Sequence, residues 1–62
     1  MTLKDYLRKN LISVPEFAQA TGVTRQAVHF WLNGMRKPTM PYMRRIVIAT
    51  GGKVRLEDFE DA

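Results

Sequence analysis

Apolar residues recur along this chain at helical spacing, and the blocks are separated by capping and turn residues. Thr2 is placed to cap a first helix with Asp5 in its opening turn, where Leu3, Tyr6 and Leu7 share one face and Lys4, Arg8 and Lys9 the other. Ser13 followed three residues later by Glu16 spells a capping box, and Pro15 fits the first turn because the first amides of a helix have no intrahelical partner. A second helix therefore begins at about Val14, with Phe17, Ala18 and Thr21 on one face, and Gly22 ends it by taking positive φ. Thr24 caps a third helix over about Arg25 to Asn33, and Gly34 stops it. A fourth is expected from about Pro41 to Thr50, burying Ile46 and Val47 with Met43, and it stops at Gly51-Gly52. Beyond it, Val54, Leu56 and Phe59 are expected to cover the core through a last helical turn near Leu56 to Phe59. The alternation Lys53-Val54-Arg55-Leu56 also fits a short strand.

These elements predict an all-α fold, a compact bundle of about five short helices; the alternative is an α+β fold with a short C-terminal strand. Within it, Ser13 to Gly34 has the layout of a helix-turn-helix. Small Ala18 lets the next helix cross closely, Gly22 makes the turn, and Val23 tucks between the two helices. The third helix divides into an apolar stripe of Ala27, Val28, Trp31 and Leu32 and a polar face of Arg25, Gln26, His29 and Asn33, with Phe30 at the margin. A polar helix face is in general merely solvated. Here Arg25 and Gln26 have the fork geometry that pairs with guanine and adenine edges, His29 donates or accepts there, and an exposed Phe30 packs on a thymine methyl.

GVTRQAVHFWLNG followed by MRKP resembles the Xre/Cro-type helix-turn-helix family. The opening TLKDY and the later ATGGKV are similar to small Cro-like phage repressors and the related YdaS-type antitoxins. The resemblance covers nearly the whole chain. It implies a recognition helix with Thr24, Arg25, Gln26, His29 and Phe30 at its reading positions, docked in the major groove of duplex DNA. The chain departs from the pattern at Val14-Pro15, where many relatives have a glutamine that holds a phosphate.

Charge sharpens this picture. The net charge is +4 over 62 residues, but four of the six acids, Glu57, Asp58, Glu60 and Asp61, lie at the end. Residues 1–56 carry ten basic residues against two acidic ones, or +8, and Thr21 to Arg45 holds five basic residues and no acidic one. That cationic stretch suits a polyanion. Base readout is expected from Arg25, Gln26, His29 and Phe30, and phosphate contacts from Thr24, Asn33, Arg36, Lys37, Arg44 and Arg45, although an arginine pair such as Arg44-Arg45 is more often just a solvated face.

Other chemistry finds little material. No cysteine is present, which removes disulfides and cysteine-ligated metals and fits a reducing compartment. His29 is the single histidine, with no nearby nucleophile in sequence and no carboxylate to orient it. No catalytic role, metal or cofactor is expected. Trp31 reads as a core anchor, and Met1, Met35, Met40 and Met43 as gap-fillers. No secretory or membrane-spanning segment is visible, the longest clean aliphatic run being Ile46 to Ala49, so a cytoplasmic location is expected.

The chain thus reads as a single DNA-binding domain over residues 1–62 with an acidic end at 57–62, a transcription regulator that blocks polymerase at an operator. Alternatives are the DNA-binding antitoxin of a toxin-antitoxin pair and a protein-interaction module with vestigial DNA binding. A homodimer on DNA, weakly associated when free, is expected from Met40, Tyr42, Ile48 and Val54 to Phe59, the apolar residues left over once the core is assigned.

Overall fold

Local hydrogen bonds at the helix ends set the architecture of the computed structural model, which describes residues 1–60. Helix α1 spans Leu3–Asn10, and the Thr2 hydroxyl oxygen accepts the Asp5 amide at 3.1 Å. Helix α2 spans Val14–Thr21 behind a complete capping box: Ser13 Oγ accepts the Glu16 amide at 3.2 Å and Glu16 Oε1 accepts the Ser13 amide at 3.1 Å. The bond from the Ser13 amide holds the Glu16 carboxyl below its ordinary pKa. Helix α3 spans Arg25–Leu32, with Thr24 Oγ1 accepting the Ala27 amide at 3.1 Å. Helix α4 spans Met40–Ala49 with Pro41 in its first turn, and α5 is a single turn over Glu57–Glu60.

Two helix ends use the same reversal with different residues. At Gly22 the backbone turns left-handed at φ 72°, and Val23 donates its amide to the Ala18 carbonyl at 3.0 Å. At the end of α1 the left-handed residue is Leu11, at φ 55°, with Ile12 donating to the Leu7 carbonyl at 3.0 Å. Leu11 is 90% exposed, so it takes a conformation costly for a residue with a Cβ and gains no burial in return.

The core gathers one face of each of α1 to α4. Leu3 and Leu7 meet Phe17 and Ala18, Val28 and Trp31, and Met43 and Ile46, and Val54 closes the cluster. Val28, Ile46 and Val54 have no exposed surface at all. Two buried hydroxyls are satisfied within their own helices: Thr21 donates to the Phe17 carbonyl and Thr50 to the Ile46 carbonyl, both at 2.8 Å.

The all-helical reading holds, and the described residues contain no strand. Residues 53–56 do not pair with any neighbour because Gly51 and Gly52, both at positive φ, reverse the chain and aim Val54 straight into the core. There its amide is taken by Thr50 Oγ1 at 3.2 Å, so the segment needs no sheet partner. Leu56, expected in the core, is 38% exposed, while Val54 is buried and Phe59 half-buried. Helix α3 stops one residue before Asn33, which caps it, and α4 runs one residue earlier than expected at each end. Of the acidic end, Asp58 is fixed: Oδ2 accepts the Arg55 amide at 2.9 Å and Oδ1 meets the terminal ammonium of Met1 at 3.1 Å. The amide bond is the main reason its carboxyl lies below the ordinary pKa. Asp61 lies outside the described residues. No helix among the described residues is long and apolar enough to cross a membrane.

Candidate nucleic-acid interface

Helix α3 is held from behind and open in front. Val28 and Trp31 are buried against the core, Ala27 and Leu32 are half-buried beside them, and Arg25, Gln26, His29 and Asn33 are exposed on the opposite side. The helix cannot rotate without lifting Val28 and Trp31 into water, a loss of about 1.5–3 kcal/mol for a fully buried side chain of this class. The polar side chains therefore share a fixed outward face. The Thr24 hydroxyl oxygen is occupied by the Ala27 amide, which leaves its proton to donate outward. The positive end of the helix dipole lies at Arg25 and Gln26, favourable for an anionic surface.

Phe30 is placed differently from its expected exposed position. Gly34, at φ 71°, turns the chain back over the last turn of α3, and both Met35 and Arg36 direct their amides at the Phe30 carbonyl, at 3.0 and 3.5 Å. The Arg36 guanidinium then lies over the Phe30 ring, 5.0 Å from its centre, and Phe30 is half-buried rather than free. The loop after α3 is thus folded onto the helix that precedes it.

The two arginines of α4 also separate. Arg44 is exposed, and among the described residues no hydrogen bond or ion pair engages its side chain. Arg45 reaches back to the turn between α2 and α3: Nη1 donates to the Gly22 carbonyl at 3.3 Å, and its guanidinium lies over the Tyr42 ring at 5.5 Å. Tyr42 in turn packs on Trp31, with ring centres 6.2 Å apart. This chain of contacts links α4 to the turn of the motif and to its second helix, and it engages a residue, Tyr42, that the apolar pattern left for a partner.

One basic residue beside this surface was not legible in the sequence. A cleft of about 540 Å³ opens beside the end of α3, and Lys4 of α1 lines it together with Arg36 and Lys37 over Trp31 and Phe59. Lys4 lies 32 positions before Arg36, and only the crossing of α1 over α3 joins them. Among the described residues no group of histidine, cysteine or carboxylate side chains is arranged to hold a metal.

A family model described as helix-turn-helix matches residues 3–56, which takes in all four long helices and the core they build. No curated protein and no solved structure matches the chain.

Proposed function

We propose that this chain, which belongs to the Xre/Cro-type helix-turn-helix family of DNA-binding transcription regulators, is a Cro-like repressor that seats α3 in the major groove of an operator and blocks polymerase by occupying it. The observation that carries this reading is the division of α3. Its apolar side is sealed in the core, and Arg25, Gln26 and His29 project from the other side within a stretch, Thr21 to Arg45, that holds no acidic residue. Arg25 and Gln26 read base edges from the first turn of the helix, His29 joins them one turn on, and the free edge of Phe30 meets a thymine methyl. Thr24, Asn33, Lys37 and Arg44 hold the sugar-phosphate backbone, and Arg45, engaged with Gly22, contributes least. The whole chain then works as one such domain in the cytoplasm.

A single α3 reads only a few base pairs, so two copies on a palindrome are needed to mark one site in a genome. Met40 and Ile48, 57% and 80% exposed on α4, supply apolar surface for a small contact between them. The test is selection of bound duplexes from a random pool, followed by gel shifts over a range of salt and sedimentation on the selected duplex. A palindromic consensus bound two-to-one is expected. Equal affinity for selected and random duplexes would overturn the specific-repressor reading, and a one-to-one complex on a non-palindromic site the dimer.

A further inference from the structure

The geometry points to Arg36 as a reader of a base edge, most suited to guanine, held in place by Phe30, rather than as one more cation on the backbone. This assignment rests on the reading above that α3 enters the major groove. Gln26 and Phe30 are one turn apart on α3 and share a face. The Arg36 guanidinium lies over the Phe30 ring, 5.0 Å from its centre, which brings its charge next to that row. A residue in a flexible basic loop would sample many directions. Arg36 is instead tied to Phe30 twice, by its backbone amide at 3.5 Å from the Phe30 carbonyl and by its guanidinium over the ring.

A cation over a ring makes no hydrogen bond with it, so the guanidinium keeps its N–H fork for a partner, and that fork pairs bidentately with guanine O6 and N7. Among the described residues no carboxylate or carbonyl takes those donors. The neighbouring Lys37 has the features of a backbone contact, a point charge with no aromatic contact among the described residues, whereas Arg36 carries a planar fork held against a ring. Phe30 is then a positioning residue for Arg36 as well as an apolar surface.

The test takes the duplex selected by the wild-type protein and replaces each base pair in turn, with the wild type, Arg36→Ala, Arg36→Lys, Phe30→Leu and Gln26→Ala. The expected result is a guanine at one position whose replacement costs the wild type about 10- to 100-fold and costs Arg36→Ala nothing further. Arg36→Lys should fail to restore that preference, and Phe30→Leu should weaken it at that same position. Arg36→Ala lowering affinity for every duplex alike, with the salt slope reduced by about one and restored by lysine, would assign Arg36 to phosphate and overturn the inference. So would an Arg36→Ala variant that binds as the wild type does. If Gln26→Ala also shows no position-dependent loss, the placement of α3 itself fails, and the assignment of Arg36 falls with it.

Discussion

Arg45 donates from Nη1 to the carbonyl oxygen of Gly22 at 3.3 Å, across 23 positions of sequence, and so ties α4 to the turn that sets the angle between α2 and α3. A Cβ at position 22 would meet the same nitrogen at 3.5 Å, an ordinary contact, so the glycine serves the left-handed turn at φ 72° and not the approach of Arg45. Arg45→Ala is expected to lower unfolding stability by about 0.5–1.5 kcal/mol, the usual net worth of such a hydrogen bond, and to leave the salt slope of DNA binding unchanged. Chemical denaturation and salt-dependent gel shifts read the two effects separately. A salt slope lower by one with unaltered stability would place Arg45 on a phosphate instead.

Arg25 and Gln26 stand exposed on the first turn of α3, whose opposite side is buried through Val28 and Trp31. Arg25→Ala and Gln26→Ala should each cost about 1–3 kcal/mol on a selected duplex and much less on random DNA. Parallel titrations of the two duplexes decide the matter, and equal losses on both would show phosphate contacts only.

Leu11 occupies the left-handed region at φ 55° with its side chain 90% in solvent. Leu11→Gly should therefore raise the midpoint of thermal unfolding, by up to about 1 kcal/mol of stability, since glycine takes that conformation without the Cβ clash and nothing buried is lost. A lower midpoint would mean that the leucine packs in a way the exposed position does not reveal.

The Glu16 carboxyl is held below its ordinary pKa chiefly by the Ser13 amide at 3.1 Å. A carboxylate with a depressed folded value adds stability above its unfolded value and loses it as pH falls through the folded one. Acidification through and below the ordinary carboxylate range should thus weaken the start of α2, and Glu16→Gln should remove this group's share of the pH dependence. Carboxyl titration by NMR checks the direction, and an unshifted Glu16 would show that the capping box does not persist in solution. Ser13→Ala should cost about 1 kcal/mol at neutral pH.

What could be read in the chain order was whatever is settled within about four residues. Thr2, Ser13 with Glu16, Thr24, Gly22 and Gly34 mark helix ends because the groups they satisfy or the turns they permit are local, and the structure places each of them there. The apolar stripes of α1, α2 and α3 were legible for the same reason: helical spacing alone decides which side chains share a face. Tertiary structure decided the rest. Val54 rather than Leu56 enters the core because Thr50 and the two glycines fix where the chain re-enters, a choice that alternation cannot make. Lys4 joins Arg36 and Lys37 through the crossing of α1 over α3, Arg45 leaves the row of Arg44 for the Gly22 carbonyl, and Arg36 folds back onto Phe30. Long cationic side chains carry no local rule for their partners. Their place depends on which ring, carbonyl or second helix the packed core brings within reach.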